Sequence, residues 1–340
     1  MAPKRVIFGC AGLALEAAEV AFFAAEQPLG FILFRRNCNN PDQVRRLVAE
    51  LRASVGRADA PVLIDQEGGR VQRLQPPHWR KAPPAAVFGA LAAQDPAAAE
   101  EAVRLNARLL AAELHGLGIT VDCVPCLDLR RPEGHAVIGD RAFADDPALV
   151  ARLGRAQAEA LLAGGVLPVI KHLPGHGRAG LDSHHALPVV DAGLDELAAT
   201  DFAPFHALRD LPIGMTAHIV YSALDAAPAT QSAAVVAQVI RGRIGFDGLL
   251  LTDDLNMQAL SGDLADRARH SLAAGCDVVL HCSGVLGEMQ QVAPVVEPLE
   301  GAALTRWQRA ALLLKEPEAI DAGALQARLT ALLPAGPAAI

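Results

Sequence analysis

The 340-residue chain is poor in aromatic residues, which make up 4% of it, and it has no run of lysine and arginine. Its formal net charge of −8 and the lack of a basic cluster argue against a nucleic-acid-binding protein. The chain also lacks an unbroken apolar run of about 18 residues, so no transmembrane helix is expected. Near the start, Glu16 and Glu19 interrupt the apolar stretch, which argues against a signal peptide. We therefore expect a cytoplasmic protein that does not bind membranes.

The six cysteines are spread widely along the chain. In a long chain with no expected export signal, this distribution is typical of buried free thiols in a reducing compartment. One pair, Cys123 and Cys126, has the CxxC form, but it has no second CxxC partner and its neighbours resemble a strand. We interpret this pair as structural rather than as a zinc or redox site.

Eight short apolar runs alternate with longer, alanine-rich segments in which apolar residues recur every three to four positions. Continuous apolar runs are typical of parallel strands that helices cover on both faces. The runs lie at 6–10, 30–34, 61–65, 119–124, 167–172, 213–218, 248–253 and 276–282. The pattern predicts an α/β protein with a (β/α)8 TIM-type barrel. A doubly wound open sheet is the alternative, but no GxGxxG follows the first run to support it.

The segments between the runs predict helices at 41–55, 95–117, 147–163, 194–209, 232–243 and 263–274. No linker is long enough to divide the chain, so we expect one domain over residues 1–340. The barrel would occupy about residues 5–300, and residues 301–340 would add one or two helices packed outside it.

Charged or titratable side chains follow one predicted strand after another. They are Arg35, Asp65, Asp128, Lys171, His172, His218, Asp253, Asp254 and His281. In (β/α)8 barrels the catalytic groups lie at the carboxyl ends of the strands and in the loops that follow. The pattern therefore predicts the location of an active site at that end of the barrel.

The segment at residues 171–188, KHLPGHGRAGLDSHHALP, places four histidines, one aspartate and one lysine among glycines and prolines. Three interpretations are open at this point: a metal site, an acid/base loop, and a polar loop without chemistry. The metal site would take its ligands from His172, His176, His184 and His218. No HxH ends a predicted strand and no HExxH occurs, which weighs against a metallohydrolase centre.

The acid/base interpretation depends on the Asp-Ser-His stretch from Asp182 to His184. Asp182 can accept a hydrogen bond from one ring nitrogen of His184, which favours the imidazolium and leaves the other nitrogen to donate a proton. Flanking glycines would let the loop close over a substrate and open again. Because Asp-x-His spacing is common in polar turns, the spacing alone does not separate this hypothesis from a polar loop.

Asp253 is the strongest single candidate for a reacting group, because it follows a fully apolar run, GLLL, and one threonine. A carboxylate there is costly to bury unless function or a salt bridge holds it, and Lys171 could be the partner. Such a carboxylate suits a nucleophile or a charge stabiliser for a sugar transition state. The adjacent Asp254 would point away from the site and is interpreted as structural.

Other polar side chains near the strand ends could bind a sugar. Asp65 can accept hydrogen bonds from two hydroxyls, and Arg73 and Arg141 suit hydroxyl, carbonyl or carboxylate groups. Lys171 and His172 end another predicted strand and complete this set. For the two arginines, salt bridges across the barrel mouth are an equally open interpretation.

Four stretches carry a resemblance to a known family: IDQEGGRVQRL (64–74), VIGDRAF (137–143), KHLPGHG with DSH (171–184) and FDGLLLTDDLNM (246–257). Together they resemble the glycoside hydrolase family 3 β-N-acetylglucosaminidases, most closely the single-domain, NagZ-type members, over essentially the whole chain. The sequence departs from the family's more common residues at Leu173, Thr252 and Asn256, and none of these changes removes a catalytic group.

The resemblance implies a (β/α)8 barrel and a retaining, exo-acting enzyme that forms a covalent glycosyl intermediate on Asp253. The Asp182–His184 pair would replace the usual carboxylic acid as the general acid/base. Substrate contacts carry over to Asp65, Arg73, Arg141, Lys171 and His172.

The substrate implied by the resemblance is N-acetylglucosamine β-1,4-linked to anhydro-N-acetylmuramic acid, with or without its peptide, as formed in peptidoglycan recycling. Neither a metal nor an organic cofactor is expected, and we expect a monomer that binds a small-molecule substrate. Three alternatives stay open: a phosphorylase that uses phosphate in place of water, a metal-dependent barrel hydrolase, and a sugar-binding protein without activity.

Overall fold

The eight predicted strands form a closed barrel in the computed structural model, which describes residues 2–132 and 134–333. The strands follow one another around the barrel in chain order, and each pairs in parallel with both neighbours. They are β1 (Lys4–Phe8), β2 (Pro28–Leu33), β3 (Val62–Ile64), β4 (Val121–Asp122), β5 (Leu167–Leu173), β6 (Ile213–Thr216), β7 (Leu249–Asp254) and β8 (Val278–His281). The predicted (β/α)8 fold is therefore confirmed.

Helices surround the barrel. They are α1 (Ala17–Glu26), α2 (Pro41–Ser54), α3 (Ala85–Ala92), α4 (Pro96–His115), α5 (Pro147–Ala163), α6 (Leu194–Ala199), α7 (Ala203–Ala207), α8 (Leu264–Ala274), α9 (Leu286–Val292), α10 (Gly301–Ala311) and α11 (Ala322–Leu332). A π-helix at Val235–Arg243 lies between β6 and β7. The helices α2, α4 and α5 each begin with a proline after a capping side chain, which are strong start signals in sequence.

Two short pairs of strands and several 3-10 turns complete the structure. The hairpin Gln66–Gly68 with Val71–Gln72 follows β3, and Val189–Val190 pairs with Val220–Tyr221. The 3-10 turns are Arg35–Asn37, Gly139–Arg141, Ala229–Gln231 and Ala293–Val295. Both strand pairs lie outside the barrel sheet, at the end where its strands finish.

The helix predicted at 194–209 is wrong as a single element, because the structure has two helices there, α6 and α7. Pro204 lies in the first turn of α7, where its missing N–H is tolerated, whereas in the middle of one long helix it would break the hydrogen-bond ladder. The predicted C-terminal helices are α10 and α11, and α11 packs against α4. Residues 334–340 of that predicted segment lie outside the described residues.

The barrel interior is filled with apolar side chains up to the level at which the strands end. Ile7, Leu29, Val121, Val169 and Leu249 belong to this inner cluster, and two further clusters lie between the barrel and its helices. All six cysteines are buried and free, as predicted. Within the described residues, the structure contains no helix with the length and apolar character needed to cross a bilayer. Polar side chains line the open space at the carboxyl ends of the strands.

Candidate active site

A cavity with a water-accessible volume of about 250 Å³ opens at the carboxyl ends of the strands. Seven predicted site residues line it: Asp65, Arg73, Arg141, Lys171, His172, His184 and Asp253. The remaining one, Asp182, hydrogen-bonds to His184. Side chains from four barrel strands or their following loops, far apart in sequence, therefore meet in one place.

Lys171 lies at the centre of a buried group of charges. Its Nζ is 2.8 Å from Asp65 Oδ1 and 2.8 Å from Glu67 Oε1, and only 2% of its side chain is exposed. Arg73 Nη2 donates to the second oxygen of Asp65 at 2.9 Å. The expectation that Lys171 pairs with Asp253 is therefore wrong. Burial raises the pKa of Asp65, but the charges of Lys171 and Arg73 outweigh it and hold that pKa well below its usual range.

Glu67 is a site residue that the sequence analysis missed. Arg141 binds it with two hydrogen bonds, Nε to Oε2 at 2.9 Å and Nη2 to Oε1 at 2.8 Å. Burial opposes ionisation, but the charges of Arg141 and Lys171 lower the pKa of Glu67 to about 2. A residue two positions after Asp65 in an extended segment lies on the same side of the chain, and this spacing is the signal that could have found it. Both arginines thus form salt bridges and also line the cavity.

The ring of His172 is fixed by Asp128. The distance from His172 Nδ1 to Asp128 Oδ2 is 2.6 Å, and Asp128 Oδ1 accepts backbone N–H groups from His172 at 3.3 Å and His176 at 2.6 Å. Asp128 is fully buried. Burial alone would raise its pKa, but the charge and hydrogen bond of the facing His172 have the larger effect and hold that pKa below its usual range, so the carboxylate stays ionised. Because Nδ1 is engaged, Nε2 of His172 is the nitrogen left for a ligand, with Arg141 Nη2 3.5 Å away.

The four histidines proposed as metal ligands do not come together in the described part of the chain. His218 is held instead by a threonine hydroxyl at 2.7 Å and a backbone carbonyl at 3.0 Å. Among residues 2–132 and 134–333, one group of three side chains has potential metal-ligand atoms within 4.8 Å of one another: Cys126, Asp128 and His172. In that set Asp128 already bonds the imidazole and two backbone N–H groups. The hypothesis of a four-histidine centre is therefore wrong.

Asp182 and His184 form the predicted pair within a single turn of the loop. Asp182 Oδ1 lies 2.8 Å from His184 Nδ1 and also accepts the backbone N–H of His184 at 2.9 Å. Burial raises the pKa of Asp182, but the hydrogen bonds from His184 outweigh it and lower the pKa overall. The His184 side chain is 60% exposed and lines the cavity, so its Nε2 can reach a bound molecule.

Asp253 and Asp254 both line the cavity, so the expectation that Asp254 points away from the site is wrong. Leu251 pairs with Val278 and Asp254 with Leu280, so β7 advances by one residue more than β8. Such a bulge bends the strand and breaks the alternation of side chains. Burial raises the pKa of Asp254 to about 6.

Asp253 is the ionised member of this adjacent pair. Burial alone would raise its pKa, but His172, His218 and the backbone N–H of Asp254 lower it below the ordinary value. Its Oδ1 accepts that N–H at 2.8 Å. The cavity therefore contains a partly buried, ionised carboxylate together with an exposed imidazole that is oriented by a second carboxylate.

Comparisons with known proteins are consistent with this arrangement. The model of the glycosyl hydrolase family 3 N terminal domain matches residues 12–310. A beta-hexosaminidase of Xanthomonas campestris pv. campestris is 38% identical over 312 residues, which is 91% of each chain. A beta-hexosaminidase of Chromobacterium violaceum is 41% identical over 282 residues, covering 82% of this chain and 78% of the relative. Crystalline NagZ from Neisseria gonorrhoeae, in complex with N-trifluoroacetyl-D-glucosamine, superposes with a TM-score of 0.87 and 34% identity over 98% of both chains.

Proposed function

This chain belongs to glycosyl hydrolase family 3, and on that premise we propose that it is a retaining, exo-acting β-N-acetylglucosaminidase. As a glycoside hydrolase of the β-N-acetylhexosaminidase class, it would take a terminal N-acetylglucosamine from a larger saccharide. The observation that carries the proposal is the ionised Asp253 in the same cavity as the His184 imidazole, which Asp182 orients.

In the first step of the proposed mechanism, a carboxylate oxygen of Asp253 attacks the anomeric carbon. The bond from that carbon to the glycosidic oxygen breaks as His184 Nε2 donates a proton to the leaving oxygen. The products of this step are a glycosyl ester on Asp253, the released alcohol and a neutral His184. Asp182 supports the step because its negative charge stabilises the imidazolium and its hydrogen bond fixes the ring.

In the second step, neutral His184 takes a proton from a water molecule as that water attacks the anomeric carbon. The ester bond breaks, Asp253 recovers its carboxylate, and the sugar leaves with its original configuration. Two displacements at one carbon give net retention. Because the imidazole returns to its protonated state, the cycle closes without another reactant.

The buried charges of the site would bind the sugar hydroxyls and the N-acetyl group. Asp65 and Lys171 are fixed by each other and by their neighbours, so their hydrogen-bonding directions are set before the substrate arrives. Arg73, Arg141 and His172 complete the proposed contacts. The complex of the gonococcal neighbour with an N-acylated glucosamine supports this assignment.

We further propose that the physiological substrate is N-acetylglucosamine linked to anhydro-N-acetylmuramic acid, with or without peptide, and that the enzyme acts as a monomer in the cytoplasm during peptidoglycan recycling. The similarity to NagZ supports this narrower assignment. It can be tested directly by following conversion of the purified anhydro-disaccharide to its two sugars by chromatography. If the anhydro-disaccharide is left intact while other N-acetylglucosaminides are cleaved, the recycling role is wrong.

The activity is tested with 4-nitrophenyl N-acetyl-β-glucosaminide in excess chelator, with the plain β-glucoside beside it. We expect release of nitrophenol from the N-acetyl sugar and loss of that release in Asp253→Ala. Asp195→Ala, at an exposed surface position, is the matched control and should keep full activity. Turnover by Asp253→Ala at the normal rate would remove Asp253 as the nucleophile. A sugar phosphate formed when phosphate is added would identify a phosphorylase instead.

A further inference from the structure

Ser183 lies between the two members of the Asp182–His184 pair, but its side chain is directed into the protein. Ser183 is 2% exposed, whereas the side chain of His184 is 60% exposed. Its Oγ is 3.1 Å from Nε2 of His176, and its carbonyl oxygen accepts the backbone N–H of Ala259 at 3.2 Å. The residue therefore connects the loop to two different parts of the structure.

The first connection leads to the fixed end of β5. The ring of His176 is 3% exposed, and burial lowers its pKa to about 4, so the imidazole is neutral near pH 7. Nδ1 of His176 has no partner among the described residues, which leaves Ser183 Oγ as the hydrogen-bonding group for this ring. The backbone N–H of His176 is bound to Asp128, the same carboxylate that orients His172.

The second connection leads to the loop that follows β7. Ala259 lies a few residues after Asp253 on the same segment, and its N–H is bound to the Ser183 carbonyl. Through these two contacts, Ser183 joins the loop to the end of β5, where the proposed sugar-binding residues lie, and to the segment that carries the proposed nucleophile.

Within the pair itself, the geometry does not depend on the Ser183 hydroxyl. Asp182 binds the ring and the backbone N–H of His184, and its carbonyl accepts the backbone N–H of His185 at 2.9 Å. Removal of the hydroxyl would therefore leave the aspartate–histidine hydrogen bond in place. What would be lost is the side-chain contact with His176, so the carbonyl contact with Ala259 would be left to hold the pair alone.

We propose that Ser183 is a positioning residue, which holds the Asp182–His184 pair over the cavity through His176 and Ala259. This inference depends on the proposed function, because it assumes that His184 protonates the leaving oxygen. Without the contact with His176, His184 would spend less time at the distance needed for proton transfer. The first step would then slow most for leaving groups that require protonation, and little for those that depart as stable anions.

The test measures kcat/KM for a series of aryl N-acetyl-β-glucosaminides that differ in the pKa of the phenol released. For Ser183→Ala we expect roughly a tenfold loss with unsubstituted phenol and less than about a twofold loss with 2,4-dinitrophenol, which is a steeper dependence on the leaving group. Both rates are taken on one preparation, so any unfolded fraction cancels in their ratio. Ser222→Ala, a serine outside the site, is the matched control and should give the wild-type slope.

Two further variants separate the possible failures. His184→Ala should give the steepest slope of all, and an unchanged slope there would contradict the proposed function itself. If His184→Ala is steep but Ser183→Ala runs parallel to the wild type, the positioning role is wrong and the function stands. His176→Asn combined with Ser183→Ala should be no worse than the more affected single variant, because both act through one contact. A fully additive loss would also contradict the proposal.

Discussion

The two halves of the site are built in opposite ways. The strand-end cluster, which we define as Asp65, Glu67, Arg73, Arg141 and Lys171, is largely buried, and its charges pair with one another: the exposed fractions of the Lys171 and Glu67 side chains are 2% and 7%. In the loop pair, the Asp182 carboxylate binds the ring and the backbone N–H of His184, and the His184 side chain stays 60% exposed. Groups that bind a sugar gain from a fixed geometry, whereas a group that first gives and then takes back a proton must reach two different partners.

The cluster and the loop pair also differ in what the loss of one charge would cost. In the cluster, two carboxylates share three cations, and each carboxylate contacts two of them. Removal of one cation leaves a buried carboxylate with one partner in place of two, and such a loss of charge compensation is far more costly than a pair itself is stabilising. The loop pair is solvated, so the loss of one partner there costs little stability. Changes in the cluster should therefore affect both folding and activity, and changes in the loop should affect activity alone.

The largest effect is expected for Lys171→Met. It removes the cation that Asp65 and Glu67 share, so we expect a loss of about 3–5 kcal/mol in the free energy of unfolding. We also expect a fall of about 10³-fold in kcat/KM, because the binding groups lose their fixed positions. Urea unfolding and steady-state rates measure the two losses. Lys81→Met, at an exposed lysine, is the control. Unchanged stability in Lys171→Met would mean that the cluster is not held together as described.

A smaller effect, confined to activity, is expected for His184→Ala. We expect a fall of about 10²-fold in kcat/KM with phenyl N-acetyl-β-glucosaminide, since protonation of the leaving oxygen is lost. The midpoint of urea unfolding should stay within error of the wild type, because the ring is largely exposed. His185→Ala is the matched control and should keep its activity. If the losses of the two variants were exchanged, the neighbouring ring would be the acid.

How much of this could be predicted from the sequence depends on the range of the interaction. The strands β5 and β7 begin with apolar runs, at 167–170 and 249–251, and their prediction needed only composition and length. The Asp182–His184 hydrogen bond was predictable because it closes within a single turn. That the pair acts on a substrate is a prediction, which the rate of His184→Ala tests.

Three features were not predictable because they depend on register or on contacts across the barrel. Alternation placed Asp254 away from the site, but the bulge in β7 changes its direction, and a bulge leaves no clear mark in composition. The partner of Lys171 was misassigned because sequence order does not say which carboxylates meet a given side chain across a closed barrel. Glu67 was missed because it lies on the hairpin after β3, beyond the predicted strand end.

Glu67→Gln is expected to have an intermediate effect on activity. Such an effect would show that Glu67 takes part in substrate binding together with the rest of the cluster. The glutamine keeps the size of the side chain but loses the charge that binds Arg141 and Lys171. We expect about a tenfold fall in kcat/KM, with a smaller loss of stability than for Lys171→Met, since Lys171 keeps Asp65 and Arg141 can still donate to the amide oxygen of the glutamine. The control is Glu101→Gln, at a half-exposed helix position whose carboxylate pairs with Arg328 on the surface. Wild-type rates in Glu67→Gln would make Glu67 dispensable.

The smallest effect on activity is expected for Asp122→Asn, which should change stability alone. Asp122 is fully buried beside the cluster, where it accepts the backbone N–H of Gln66 at 2.9 Å through Oδ1, and Oδ2 has no partner among the described residues. Burial raises its pKa from 3.8 to about 8. The cations that lower the pKa of Asp65 and Glu67 are committed to those two carboxylates, so Asp122 keeps its proton in the native state near pH 7.

The sign of the resulting pH dependence follows from the two protonation states of Asp122. The unfolded chain loses this proton near pH 4 and the folded chain near pH 8. The contribution of Asp122 to the free energy of unfolding is therefore most favourable below pH 4, and it is lost as the pH rises to 8. Asparagine keeps the hydrogen bond from Gln66 and does not ionise. Asp122→Asn should therefore nearly match the wild type at pH 4 and exceed its stability at pH 8 by roughly 5 kcal/mol, since each unit by which the pKa is raised is worth about 1.4 kcal/mol, with activity unchanged. Urea midpoints at both pH values measure this, with the exposed Asp42→Asn as the control. A variant that is weaker than the wild type by the same amount at both pH values would show that Asp122 is not a buried neutral acid, and that the cluster's cations reach a third carboxylate.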